Sequence, residues 1–184
     1  MQQILKDLSK RQKTERIDAV YTEDIARTIV LNMGLSHAAR KNGLLTLDDI
    51  IAKNVYPNKV CTFLMENTDL LIKAVQPELL DEIIVNKYFS NNMDIKDSLL
   101  YCLCGRGCLA IQQGLSPVFI RELLISIVPG YLRDEVEFYI IQYETELLET
   151  VDEMLHEIRR ENINKNSEYD ENKDRLEELY DSMK

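Results

Sequence analysis

Residues 22–43, TEDIARTIVLNMGLSHAARKNG, are the stretch that decides the fold class of this chain. After Thr22, apolar residues recur at spacings of one to five, as one face of a helix requires. These residues are Ile25, Ile29, Val30, Met33 and Ala38. Asn42 and Gly43 then supply a stop, because glycine tolerates the left-handed conformation in which helices often end. The stretch therefore predicts a helix followed by a sharp break.

Helix signals continue on the C-terminal side of this break. Thr46–Asp49 has the form of a capping box ahead of a new apolar run. Pro57 and Pro77 predict further helix boundaries, Asn67–Thr68 predicts a helix start between them, and Gly114–Pro117 predicts one helix end and the next helix start. Alternating strand patterns with hairpin turns are weak. We therefore predict an all-α domain of about six to eight helices.

The run from Tyr131 to Asn162 predicts a long C-terminal amphipathic helix. Its apolar stripe has spacings of 4, 3, 4, 4, 3 and 4 and consists of Val136, Ile140, Tyr143, Leu147, Val151, Met154 and Ile158. The stripe must be covered, either by the body at 1–130 or by a second copy in a homodimer through the 131–162 helix. Residues 163–184 are polar and aperiodic, which predicts an acidic, flexible tail.

The net charge of −10 comes entirely from the residues that follow the body in the sequence. Residues 132–184 hold 17 acidic and 7 basic side chains, and residues 1–131 hold 15 of each. This charge opposes nucleic-acid phosphates and anionic membranes, so we expect no nucleic-acid binding. No signal peptide and no run of about 18 apolar residues is present, which predicts no membrane insertion and a cytoplasmic protein.

The residue types that usually carry catalysis are sparse. The chain has two histidines and lacks a phosphate-binding glycine loop, a nucleophile elbow and a His-Glu-x-x-His motif, so we predict no enzyme and no cofactor. Three of the four cysteines crowd into YCLCGRGC, residues 101–108, within an apolar helical pattern. We interpret them as buried small hydrophobes and expect no metal, although a metal or thiol site is the alternative.

Two short motifs and the segment between them resemble a known family. Residues 39–48, ARKNGLLTLD, are similar to the cytoplasmic signature of the flagellar stator family, MotA and its relatives, in which an arginine and an acidic residue flank a Gly-Leu-Leu core. Residues 63–84 follow that family's order of an apolar helix and a proline-started helix. Residues 109–120, LAIQQGLSPVFI, resemble the segment after its last membrane helix. The family's four membrane helices have no counterpart in this chain.

The resemblance implies a bacterial motility protein that contacts a flagellar rotor switch protein through charged side chains. By position these are Arg40 and Asp48, with Lys41 and Asp49 beside them, and an aspartate stands where the family more usually has glutamate. Helix capping is the alternative role for Asp48. The alternative function, suggested by the charge distribution, is a helical adaptor or assembly protein that acts through its acidic C-terminal helix.

Overall fold

The computed structural model describes the backbone of residues 1–53, 59–73 and 75–182. It also describes the side chains in these ranges, except those of residues 52–53, 59–61, 147–148, 159 and 161–182. The helices are α1 (Gln2–Arg11), α2 (Thr22–Asn42), α3 (Thr46–Lys53), α4 (Lys59–Ile72), α5 (Pro77–Ser90), α6 (Ile95–Gln112), α7 (Pro117–Ile125) and α8 (Gly130–Ser182), with a short 3-10 helix at Ala19–Tyr21. The described ranges contain no strand, so the all-α prediction is confirmed.

Helix α6 lies at the centre of the fold. Fifteen of its 18 residues are buried, and it contacts α1, α2, α4, α5 and α7. Two glycines permit this close packing. A Cβ atom on Gly105 would lie 2.7 Å from Cγ2 of Ile84 in α5, and one on Gly107 would lie 1.9 Å from Oδ1 of Asn32 in α2. The glycines therefore let two helices approach α6 from different sides.

Helix α8 packs along α2 and covers it. The side chains of Val136 and Ile140 are fully buried, and those of Val151 and Ile158 are nearly so. At these four positions the apolar stripe is covered by the body of the same chain, which agrees with the first of the two alternatives. The homodimer through the 131–162 helix stays a prediction, and these four side chains already pack within one chain.

The predicted breaks coincide with helix boundaries. Helix α2 ends at Asn42 and is followed by Gly43, with φ of +85° and an amide that donates to the carbonyl of Ala39. Helix α5 starts at Pro77. Between α6 and α7, Gly114 has φ of +72°, and Ser116 caps α7 by accepting a hydrogen bond from the amide of Phe119. These local signals fix where the chain turns.

Three local predictions need correction or lie outside the described residues. Asn67–Thr68 does not start a helix, because α4 runs through both buried residues and the Asn67 amide donates to the carbonyl of Phe63. The predicted boundary at 162/163 is absent from the backbone, which continues as helix to Ser182. Pro57 lies outside the described residues.

No helix in the described part of the chain has a stretch that is both long and apolar enough to cross a membrane.

Candidate functional site

Arg40 lies in the last turn of α2 and joins two distant parts of the sequence. Its side chain is exposed, and Nη1 donates to the carbonyl oxygen of Gly114 at 2.6 Å. In the preceding turn, Ser36 Oγ donates to the carbonyl oxygen of Leu115 at 2.7 Å. These carbonyls follow the end of α6, where backbone acceptors lack helical partners. Arg40 therefore has a structural role as well as an exposed charge.

The bond of Arg40 to Gly114 brings together the two segments singled out in the sequence, and the bond of Ser36 lies one helical turn before the first of them. Residues 39–48 and 109–120 lie about 70 residues apart in the chain, yet the end of α2 contacts the turn between α6 and α7. Helix α7 begins directly after this turn, and its first turn exposes Val118 and Phe119. A charged helix end and an apolar helix start therefore border the same junction.

Asp48 and Asp49 occupy the first turn of α3. Both carboxylates are exposed, and acidic groups are favourable there because they face the positive end of the helix dipole. The Thr46 hydroxyl donates to the carbonyl of Asn42, so it helps to close α2. Leu45, between the two helices, is 75% exposed. We define the α2–α3 corner as Arg40, Leu45, Asp48 and Asp49.

Lys41 points to α8 and holds it. Its Nζ donates to both carboxylate oxygens of Asp152 at 2.8 and 2.9 Å, and His37 Nε2 lies 2.8 Å from Asp152 Oδ1. The hydrogen bond from Lys41, together with His37, lowers the pKa of Asp152 below its usual value. Lys41, predicted as a partner contact, therefore belongs to a clamp between α2 and α8.

The cysteines of α6 are buried, as interpreted from the sequence. Cys102, Cys104 and Cys108 have no solvent exposure, and burial raises the pKa of Cys102 and Cys108 to about 12. The side chain of Cys61 lies outside the described residues. Among the side chains that the structure describes, no group of three or more His, Cys, Asp or Glu is placed to hold a metal ion.

A polar cluster at the opposite end of α6 ties α1 to the body. Arg11, the last residue of α1, donates to Ser98 Oγ at 2.8 Å and to the carbonyl of Met93, and it pairs with Glu15 in the segment after the helix. The hydroxyl of Tyr88 donates to Asp7, and burial raises the Tyr88 pKa to about 12. Because its guanidinium donates to these groups of the same chain, Arg11 has a structural role here and attaches the end of α1 to the body.

Comparison of the chain with models of known protein families found no match, and comparisons with curated proteins and with solved structures found none either.

Sequence reasoning missed the contacts that connect these segments. His37 and Asp152 carry no local signal of their pairing, because they lie 115 positions apart. Arg40 was singled out for its charge, and its bond to Gly114 depends on the way α6 and α7 turn beside α2. Val118 and Phe119 lie in the first turn of an ordinary proline-started helix, and only the fold shows that their side chains are exposed.

Proposed function

We propose that this chain is a non-enzymatic, cytoplasmic protein-interaction module that resembles the cytoplasmic part of a flagellar stator subunit. It contacts a rotor-type switch protein through the α2–α3 corner. The observation that carries the proposal is the meeting of the two stator-like segments through the bond of Arg40 to Gly114, next to which Ser36 of the same helix bonds to Leu115. A shared surface is what two segments of one binding site require.

The corner has the chemistry of a reversible contact. Arg40 offers positive charge at a helix end, and Asp48 and Asp49 offer negative charge at the next helix start. Exposed ion pairs contribute about 0–1 kcal/mol each and are screened by salt, so they orient a partner more than they hold it. Leu45, which lies between Arg40 and Asp48 in the sequence, adds an exposed apolar group, which favours contact at close range.

The backbone of the corner is held firmly enough to preserve this arrangement. Arg40 is attached to the α6–α7 turn, Thr46 to the end of α2, and Lys41 to α8. A surface that is ordered before binding loses less conformational entropy when a partner arrives. Charges held in this way present the same pattern to each partner molecule.

The proposal is tested by titrating the purified chain with the flagellar switch protein of the same organism at low ionic strength. Arg40→Glu and Asp48→Lys each reverse one charge and should weaken binding about tenfold. Lys10→Glu and Glu82→Lys make the same charge changes at exposed sites in α1 and α5, and should leave binding unchanged.

Arg40→Gln separates charge from structure, because its amide retains a donor for the Gly114 carbonyl while the charge is lost. Weaker binding at unchanged thermal stability supports the proposal. Absence of binding in the wild type, or equal losses in corner and control variants, contradicts it.

A further inference from the structure

The side of α8 that faces away from α2 has a composition unlike the rest of the surface. Five exposed residues form one ridge with spacings of 4, 3, 4 and 4, namely Asp134, Phe138, Ile141, Thr145 and Glu149. We call this set the outer ridge of α8. It lies opposite the buried stripe, so the packing of α8 on the body leaves it uncovered within the chain.

Two large apolar side chains lie next to each other on the outer ridge. Phe138 is 57% exposed and Ile141 is 66% exposed. An i, i+3 pair shares one helix face, so the two side chains form one contact area. Single exposed apolar residues need no explanation, but an adjacent aromatic and aliphatic pair resembles the apolar centre of a binding site.

The Phe138 ring is held in place by its neighbours. It meets the ring of Tyr139 edge to face at 5.6 Å, and Tyr139 stacks on Tyr143 at 6.2 Å. Tyr143 in turn donates to Glu23 at 2.8 Å and lies under the guanidinium of Arg27. This chain of contacts links the Phe138 ring to α2. An ordered aromatic anchor is the type of residue that contributes most at interfaces.

The charged side chains that α8 contributes around the apolar pair have one sign. Residues 134–149 contain six acidic side chains and neither lysine nor arginine. Glu135 and Glu146 flank the ridge on its exposed side, and Asp134 and Glu149 lie on it. This field attracts a cationic partner and repels an anionic one.

We propose that the outer ridge of α8 binds a basic amphipathic helix of another protein, with apolar residues seated on Phe138 and Ile141 and lysine or arginine paired with the surrounding carboxylates. Charge complementarity selects this occupant. A second copy would place acidic ridge against acidic ridge, and nucleic acids and anionic membranes carry the wrong charge. The inference is independent of the α2–α3 corner, to which no ridge residue belongs.

The probe is a fluorescent amphipathic peptide of about 20 residues, with leucine at heptad a and d positions and lysine at the flanking positions. A scrambled peptide of the same composition has the same charge but no apolar face. We expect the patterned peptide to bind the full chain at low ionic strength and the scrambled peptide to bind about tenfold more weakly.

Matched variants locate the site. Phe138→Ser combined with Ile141→Ser should weaken binding of the patterned peptide about tenfold, and Glu149→Lys should weaken it further at low salt. Phe89→Ser is the control, because Phe89 is 53% exposed and meets Tyr88 edge to face at 5.0 Å, like Phe138 with its own neighbour. This control should bind as the wild type does.

Three outcomes would overturn the inference. Equal binding of both peptides would mean attraction by charge alone. Equal effects of the ridge and Phe89 variants would place the contact elsewhere. A dimer in sedimentation that is lost with the ridge substitutions would show that a second copy occupies the face.

Discussion

Helices α6 and α8 differ in how many sides they bury. α6 is enclosed by five other helices and has glycines where two of them come closest, whereas α8 covers α2 with one side and exposes the other. An enclosed helix depends on small residues and exact fit. A helix that is buried on one side only, such as α8, needs just one stripe of apolar residues for its packing. Its exposed side can therefore have charged residues and can contact other molecules. The core and the candidate interaction surfaces are thus assigned to different helices.

The largest expected difference between α6 and the exposed side of α8 is in the reactivity of thiols placed there. Burial raises the pKa of Cys102 and Cys108 to about 12, which leaves far less of the reactive thiolate at neutral pH than an exposed cysteine has. In a Cys61→Ser background, we expect the α6 thiols to react with an aromatic disulfide reagent only after unfolding. An Ile141→Cys thiol on α8 should react at once. Rapid reaction of all thiols in the native protein would refute the enclosure of α6.

Gly107→Ala should cause the largest loss of stability among single methyl additions. The new Cβ would overlap Oδ1 and Cγ of the buried Asn32 side chain, so this side chain must move or helices α2 and α6 must separate. We expect a loss of about 3 kcal/mol in urea unfolding, despite a gain of about 1 kcal/mol in helix propensity.

Gly130→Ala is the matched control in α8, because nothing lies within 4 Å of its added Cβ. Its stability should equal or exceed that of the wild type. Adding Asn32→Ala to Gly107→Ala should recover part of the loss. An unaffected Gly107→Ala variant would contradict the close approach of the two helices.

Neighbouring isoleucines test the two sides of α8. Ile140 is fully buried against the body, and Ile141 is 66% exposed. Ile140→Ala should destabilise the protein by about 3 kcal/mol through lost burial and a cavity, and Ile141→Ala by less than about 0.5 kcal/mol. The comparison is made by thermal or urea unfolding. Similar losses for both variants would show that α8 does not pack as described.

The smallest effect is expected at the clamp between α2 and α8. Because the Asp152 pKa lies below its usual 3.8, the clamp stabilises the protein above that pH and loses this contribution as pH falls through the lowered pKa. Asp152→Asn should therefore reduce stability at neutral pH by at most about 1 kcal/mol, since the carboxylate is partly exposed.

This difference between the wild type and Asp152→Asn should disappear in strong acid. Glu153→Gln, an exposed neighbour, is the control and should change stability little at any pH. If the stability difference between the wild type and Asp152→Asn stayed the same at every pH, the charge of Asp152 would not contribute to the stability of the clamp.

The sequence predicted α8 better than α6 for a physical reason. In a helix with one buried side, the spacing of the apolar residues shows which side faces the core. The buried side of α8, from Val136 to Ile158, could therefore be predicted from the sequence. In α6 the apolar residues surround the helix, and periodicity gives no direction. The roles of Gly105 and Gly107 depend on Ile84 and Asn32, which lie far away in the chain, and such distant pairs have no local signal.

Turn chemistry was predictable where it is local. Gly43, Pro77, Gly114 and Pro117 mark real boundaries, because glycine and proline restrict or permit backbone angles by themselves. The helix start predicted at Asn67 was wrong. Asparagine is typical of a helix start, but the buried Asn67 side chain donates a hydrogen bond to the carbonyl of Phe63 inside α4. The short helix α1 was not predicted, although Ile4 and Leu8 are buried at helical spacing.

The central claim, contact with a rotor-type switch protein through ordered charges, is tested most directly by exchanging those charges. Arg40→Asp combined with Asp48→Arg keeps the net charge at −10 and the long-range field nearly the same. The account predicts that binding of the switch protein falls at least about tenfold in a low-salt titration while helical content is unchanged. Equal affinity of the wild type and the exchanged variant would contradict it.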